Sequence, residues 1–323
     1  MLFYTTNTAD PVSQRLRTLA KESPELKEAA QLYEAILPLL RDTDLHVGTI
    51  SLTIEQAREK MESGAPLLSG LDLDLDVDAV RALMIELAAA VEKIGTVHQP
   101  FKLRLPWLSS TPELDTAARR IRTALEDNTL EIGALLSHVA AGDKDSVASV
   151  SKDLGLDPGL TATLAQNALK PALRAWFAQL RPLVKDIPWS KSACFVCGAG
   201  ATLAELQGND QFKHLRCGSC GADWQVRRLQ CVYCGNEDHR TLTHLFEEKD
   251  REGRQMEACE ICRGYLKVIA AFSPTIVEFL AIEDLATLHF DCIAKERGYT
   301  RGVPFSGLGP ETMVRSSTIK MCE

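Results

Sequence analysis

The sequence predicts a multidomain α + small β protein, with a helical N-terminal domain followed by small β modules. The first observation is that residues 1–193 contain no cysteine, whereas all ten cysteines lie in residues 194–322. The second is that Ala and Leu recur at helical spacing before residue 185, whereas short strand-like runs alternate with Cys-x-x-Cys pairs after it. These two observations place the predicted domains at 1–185, 186–225 and 226–323.

Composition restricts the class of protein. The chain has 323 residues, of which 45% are hydrophobic and 25% charged, with a net charge of -8. This is enough for a buried core and corresponds to about two domains. The N-terminal residues resemble no signal peptide, and no run approaches about 18 apolar residues, so we expect a cytoplasmic protein without direct membrane insertion. Cytoplasmic thiols stay reduced, which favours metal ligands or redox centres over disulfides.

Helical periodicity recurs through the first part of the chain. Pro38 and Pro171 should bend or break the helices that contain them, and Gly95 stands where a helix should end. Residues 64–77 are predicted to form a loop, and residues 184–193 a linker. The segments with the clearest periodicity are 23–42, 77–95, 111–127 and 157–184.

The cysteine pairs alternate with predicted hairpins. The first pair precedes ATLAEL, the turn GNDQ and FKHLR, which leads into the second pair. The third pair precedes TLTHLFE, a charged turn at 250–253 and RQMEAC, which leads into the fourth. Each hairpin closes locally, so we predict two tandem rubredoxin-like or zinc-ribbon modules with sequential sites. Site one is Cys194, Cys197, Cys217 and Cys220, and site two is Cys231, Cys234, Cys259 and Cys262.

The residues after each pair support metal binding. Two intervening residues let both sulfurs of a pair reach one ion, and the next residue must often take a positive φ. Gly198, Gly221 and Gly235 follow three of the pairs, but Arg263 follows the fourth, which should make that turn looser. Five cations near the pairs could moderate the thiolate charge, namely Lys191, Arg216, Arg227, Arg228 and Arg263.

Four sulfurs close the coordination shell and leave no position for substrate, so these sites are not expected to be catalytic. The sequence contains no other catalytic constellation, and we predict that the protein is not an enzyme. Zinc and rubredoxin-like iron both accept four thiolates, so the ligands leave the metal open. Thiol-disulfide redox chemistry is the alternative use of such pairs.

The charge of the cysteine-rich part does not favour nucleic-acid binding. From residue 186 onward there are 16 Lys and Arg against 19 Asp and Glu, so the basic surface of a nucleic-acid-binding protein is not expected. A protein partner is the better hypothesis.

Cys292 is interpreted as a small hydrophobic residue and Cys322 as part of the C-terminal tail, and the sequence assigns a role to neither.

The motifs CFVCG, CGSCG, CVYCG and CEICRG, in this order after a helical half and before EDLATLHFD, resemble those of the formate dehydrogenase accessory protein family, FdhE. The resemblance covers essentially the whole chain and is most specific at residues 190–292. It implies two metal ions, with rubredoxin-like iron favoured and zinc as the alternative, bound by the eight paired cysteines. It also points to Asp284, Thr287 and Asp291 as residues of a following segment that could contact a partner.

What the resemblance implies about function is a non-enzymatic, chaperone-like maturation factor. Such a protein would bind the catalytic subunit of formate dehydrogenase before export by the twin-arginine route. The alternative is an iron- or thiol-based redox protein that acts on the same client. The sequence leaves open the oligomeric state and the surface that contacts the client.

Overall fold

The computed structural model describes residues 10–97, 114–184, 187–246, 253–302 and 313–315. Within these residues the N-terminal half is helical and the C-terminal half contains most of the strands. The α-helices are α1 Pro11–Glu22, α2 Lys27–Asp42, α3 Ile54–Ser63, α4 Val77–Val97, α5 Leu114–Glu126, α6 Ile132–Ala141, α7 Lys144–Asp153, α8 Pro158–Ala168, α9 Lys170–Leu180, α10 Val277–Ala286 and α11 Leu288–Glu296. Short 3-10 turns lie at Pro24–Leu26, Arg181–Val184 and His239–Thr241.

The helix-breaking residues have different effects. Pro171 stands at the start of α9, so the predicted segment 157–184 is divided into α8 and α9. Pro38 is contained within α2, which continues past it. The predicted stop at Gly95 is wrong, because α4 runs on to Val97. A Cβ atom at Gly95 would lie 2.8 Å from the backbone nitrogen of Asp115, so this glycine allows α5 to approach closely.

Most strands of the second half form one seven-stranded sheet. The strands are β2 Leu203–Gln207, β3 Phe212–Arg216, β4 Asp223–Gln225, β5 Leu242–Phe246, β6 Arg254–Cys259, β7 Gly264–Ala271 and β8 Thr300–Arg301. Their order is β4-β3-β2-β7-β6-β5, and β8 pairs with the start of β7. Separately, β1 Asp72–Asp74 pairs in parallel with β9 Met313–Arg315. The two predicted hairpins are therefore β2–β3 and β5–β6, with residues 250–252 of the second turn outside the described residues.

The two predicted modules share this sheet. Strand β7 follows the fourth cysteine pair, runs antiparallel to β6 and pairs in parallel with β2. A helical N-terminal region and a C-terminal sheet region are thus observed, but the ribbons are not separate β units. The domain boundaries at 185 and 225 and the rubredoxin-like character of the modules stay predictions.

The helical region and the cysteines of predicted site one share a continuous core. This core includes Leu67, Trp176, Phe195 and all four cysteines of that site. The backbone N–H groups of Leu67 and Leu68 donate to the carbonyl oxygens of Phe195 and Val196 at 2.8 and 3.1 Å. The predicted linker is also packed, since Trp189 is buried and its Nε1 donates to the Ala193 carbonyl at 2.7 Å.

Helix α10 connects the end of the chain to its beginning. Ile282 and Leu285 of α10 pack with Val12, Leu16 and Ala29 of the first two helices. Arg174 of α9 donates to Glu278 of α10 at 2.9 Å, which adds an ion pair to this contact. Among the described residues, no helix combines the length and the apolar character that crossing a membrane requires.

Candidate metal centres

The four cysteines of predicted site one come together between the ends of the first hairpin. Cys194 Sγ lies 3.5 Å from Cys220 Sγ, and Cys197 Sγ lies 3.6 Å from Cys217 Sγ. All four sulfurs lie within 4.8 Å of one another. None of these cysteines is in a disulfide, whose sulfurs would be about 2 Å apart. We call this group the first cluster.

The cysteines of predicted site two form an equivalent group, the second cluster. Cys231 Sγ lies 3.6 Å from Cys262 Sγ, and Cys234 Sγ lies 3.7 Å from Cys259 Sγ. These four sulfurs also lie within 4.8 Å of one another. The structure therefore groups the eight cysteines as sequential pairing predicts.

The spacing of the sulfurs suits one tetrahedral ion in each cluster. Sulfurs bound about 2.3 Å from an ion at tetrahedral angles lie about 3.8 Å from each other. The shortest separations in the two clusters, 3.5–3.7 Å, are close to this value. Each group of four could hold one metal ion, and four protein ligands would leave it no open position.

The same turn positions each cysteine pair. In all four turns the residue after the second cysteine donates its N–H to the carbonyl of the first cysteine at 2.9 Å. Gly198, Gly221 and Gly235 adopt the expected positive φ, between 69° and 82°. Arg263 adopts the same left-handed backbone with a φ of 58°. The sequence signal that suggested a looser fourth turn was therefore misleading, because the backbone of this turn matches the others.

Side-chain contacts hold Arg263 in this unfavourable conformation. Its guanidinium pairs with Glu260, donates to the Arg297 carbonyl and stacks 4.1 Å from the ring centre of Tyr299. A non-glycine residue at positive φ costs roughly 1–2 kcal/mol. These contacts offset part of that cost.

The two clusters differ in exposure. All four cysteines of the first cluster are at most 1% exposed, and Phe195 and Trp224 pack edge to face beside them at 6.0 Å. In the second cluster Cys234 is exposed and Cys262 is half-buried. Solvent and other molecules can therefore reach the second cluster but not the first.

One thiol in each cluster has a lowered pKa. In the first cluster, thiol hydrogen bonds from Cys194 and Cys197 hold the pKa of Cys217 well below its usual range. In the second, burial raises the pKa of Cys259, but the backbone N–H groups of Cys262 and Ile261 outweigh burial and lower it to about 7. A thiolate is the form that binds a metal ion, so each cluster contains one ligand that ionises readily.

The five cations predicted to moderate the thiolate charge are engaged by oxygen atoms. They contact the Gly64 carbonyl (Lys191), Glu205 and Asp223 (Arg216), Glu237 (Arg227), the Gln211 side chain (Arg228) and Glu260 (Arg263). Two cations of α9 act on the first cluster instead, since Lys170 interacts electrostatically with Cys217, and Arg174 with Cys220. The sequence does not indicate either interaction, because both residues lie more than forty positions before these cysteines.

The predicted partner-contacting residues lie inside the protein. Asp284 pairs with Lys267 and Arg301, and Asp291 accepts hydrogen bonds from Lys267 at 2.8 Å and from the Tyr265 hydroxyl at 2.5 Å. Thr287 is fully buried and donates to the Glu283 carbonyl at 2.7 Å. These contacts attach α10 and α11 to β7 and β8, and a role in partner binding stays a prediction. Cys292 is exposed on α11, and Cys322 lies outside the described residues.

Comparison with known proteins gives consistent results. Residues 229–306, which include the second cluster, match the model of the FdhE C-terminal domain. The FdhE homolog of Stutzerimonas stutzeri is 31% identical over 194 residues, 58% of this chain and 63% of that protein. The FdhE protein of Escherichia coli O127:H6 is 27% identical over 195 residues, 59% of each chain. The matched region therefore spans less than two thirds of each of these relatives.

A solved structure extends the similarity in three dimensions. The crystal structure of the FdhE protein from Pseudomonas aeruginosa matches 93% of this chain and 94% of its own, with a TM-score of 0.54 and 19% identity. The present chain therefore has the fold of that protein. Together with the sequence matches, this confirms the resemblance to the FdhE family that the cysteine motifs indicate.

Proposed function

We propose that this protein is a non-enzymatic accessory factor for the maturation of formate dehydrogenase, and that it binds the catalytic subunit of that enzyme in the cytoplasm before export. The observation that carries the proposal is the presence of two closed four-cysteine clusters in a chain that resembles FdhE proteins in both sequence and fold. Closed sites of this kind hold a structure in shape rather than activate a substrate.

We further propose that the eight clustered cysteines bind two metal ions, one per cluster. Rubredoxin-like iron is favoured by the family resemblance, and zinc fits the same four thiolates. When bound, either ion would cross-link the ends of its hairpin and stabilise the turns around the cysteines. A visible spectrum separates the two metals, because ferric iron bound by thiolates is coloured and zinc is not.

Association with the client tests the proposed function. The catalytic subunit should co-purify with the wild-type protein, and association should fall at least about tenfold for the double variant Cys194→Ser/Cys231→Ser, which removes a ligand from each cluster. Cys292→Ser, which replaces an exposed cysteine outside the clusters, is the matched control and should behave as wild type. Undiminished association and full formate dehydrogenase activity with the double variant would contradict the proposal.

A redox role is the second candidate, and the exposure of the second cluster favours it. Cys234 is exposed and neighbours Cys259, whose pKa is lowered to about 7, so this cluster could exchange electrons or thiol groups with a client. Thiol-disulfide turnover or reversible metal reduction by the wild type, lost in Cys234→Ser, would favour this function. If the protein binds the client but shows neither activity, the redox role is excluded and the accessory function is supported.

A further inference from the structure

A cavity of about 190 Å³ lies between the helical region and the first cluster. Its walls are mostly apolar and include Leu73, Leu173 and Val314, while Ser219 contributes from the turn between Cys217 and Cys220. Exposed Gln166 marks the side nearest to solvent. A volume of this size corresponds to about six water molecules and is smaller than a site for a drug-sized ligand.

One buried hydrogen-bond donor that lines this cavity lacks an acceptor. Trp176 is 1% exposed, and its Nε1 has no hydrogen-bond partner among the described residues. The indole nitrogens of Trp189 and Trp224 donate to backbone carbonyls at 2.7 and 3.0 Å, so the unpaired nitrogen distinguishes Trp176. Buried donors are nearly always paired, and one that is not requires an explanation.

Half-buried Lys170 also lines the cavity and supplies a positive charge. Its ammonium group has no hydrogen-bond acceptor and no ion-pair partner within the described part of the chain, and no acidic residue is found among the described residues that line the cavity. Burial, followed by repulsion from Arg174, lowers the pKa of Lys170 to about 8. Arg174 itself is paired with Glu278, so its charge is balanced by contact. The thiolate of Cys217 attracts Lys170 but accepts no hydrogen bond from it.

We propose that this cavity binds a monocarboxylate that carries a short apolar body. The carboxylate would accept hydrogen bonds from Lys170 Nζ and Trp176 Nε1, and the apolar body would pack against Leu73, Leu173 and Val314. A phosphate dianion is a poor match, because a single cation would balance only one of its charges within apolar walls. The carboxylate belongs either to a free small molecule or to the C-terminus of a peptide. The proposed site borders the first cluster through Ser219, but the proposal does not depend on the proposed function.

Ligand-observed NMR with the metal-loaded full-length protein tests this proposal. Butyrate should bind, whereas butyramide, which has the same shape without the charge, and inorganic phosphate should bind at least about tenfold more weakly. Lys170→Met should weaken butyrate binding at least about tenfold, and Lys152→Met, at an exposed position of α7, should leave it unchanged. Equal binding of butyrate and butyramide, or unchanged affinity in Lys170→Met, would overturn the proposal.

Trp176→Phe provides an independent test that does not depend on charge. This variant keeps an aromatic ring and removes the unpaired Nε1 donor, so butyrate binding to the folded variant should weaken about tenfold. Unchanged butyrate affinity in the folded variant would show that Nε1 does not contact the ligand and would overturn the proposal.

The source of the carboxylate is decided by comparing butyrate with a tetrapeptide that ends in leucine, in free-acid and amidated forms. Tighter binding of butyrate would support a free carboxylate. Tighter binding of the free-acid peptide, with loss on amidation, would support a chain terminus. Failure of both ligands to bind the folded, metal-loaded protein would contradict the proposal.

Discussion

Ala204 of β2 and Val268 of β7 are partners in a parallel pairing at the centre of the seven-stranded sheet. Both residues are fully buried and belong to the same core as the first cluster. Strand β2 leads from the first cysteine turn, and β7 follows the fourth. The two sulfur clusters are therefore connected by the backbone of one sheet, but the cysteines of the first cluster belong to the main core that includes the helical region, whereas those of the second do not.

Loss of the first cluster should loosen the helical region, whereas loss of the second should not. In Cys220→Ser, amide hydrogen exchange at Leu67 and Leu68 should accelerate at least about tenfold, because their acceptors lie in the first cysteine turn. In Cys259→Ser the same amides should keep their protection. Equal acceleration in both variants would show that the sheet transmits the loss of either cluster.

The energetic cost of the left-handed backbone at Arg263 can be measured by comparing two variants. Arg263→Ala and Arg263→Gly both lose the contacts with Glu260 and Tyr299, but only the glycine relieves the strain at a φ of 58°. Arg263→Gly should be more stable than Arg263→Ala by about 1–2 kcal/mol in urea unfolding. At exposed Arg240, in a right-handed turn, the order should reverse. An alanine variant at position 263 as stable as the glycine variant would rule out backbone strain.

Asp284 should make the stability depend on pH in acid. Burial raises its pKa, but the charges of Arg301 and Lys267 outweigh burial and lower it to about 2. Because the folded pKa is below the ordinary value of 3.8, the ionised carboxylate stabilises the fold above about pH 4, and this stabilisation is lost as the pH falls towards 2. Asp284→Asn should lower the free energy of unfolding, and the part of this decrease that depends on pH should be about 2 kcal/mol.

Urea unfolding of the wild type and Asp284→Asn between pH 7 and pH 2.5 measures this difference. The gap in unfolding free energy should narrow as the pH falls, because the wild-type carboxylate becomes neutral. Asp210→Asn, in the exposed turn between β2 and β3, is the control and should show no such narrowing. A gap of constant size across this range would mean that the Asp284 pKa is not lowered.

Local patterns in the sequence predicted much of the fold. The strands β5 and β6 begin and end within about one residue of the predicted runs, and the break at Pro171 follows from its missing N–H and fixed φ. The four cysteine turns were also predictable, since their hydrogen bonds join residues that are close in sequence.

Features that depend on distant residues were not predictable. The parallel pairing of β2 with β7 joins residues more than sixty positions apart, and no local signal specifies it. Lys213 and Lys267 are each 1% exposed or less, although lysine normally marks a surface position, because Glu257, Asp284 and Asp291 balance their charges. The approach of Lys170 to the first cluster has the same origin in long-range packing.

The difference in exposure predicts two rates of metal loss. A chelating dye should remove one equivalent from the second cluster first, since Cys234 and Cys262 are accessible. The second equivalent, from the fully buried first cluster, should be released at least about tenfold more slowly. Release of both equivalents in one phase would contradict this order.

Metal content per chain, measured by mass spectrometry on the purified protein, tests the central claim most directly. The wild type and the control Cys292→Ser should each contain two metal ions per chain. Cys220→Ser and Cys259→Ser should each contain one metal ion, because each substitution removes a ligand from a different cluster. The double variant Cys194→Ser/Cys231→Ser, which lacks a ligand in both clusters, should contain none. Two ions retained in either single variant, or a single ion in the wild type, would contradict the assignment of two independent four-sulfur metal sites.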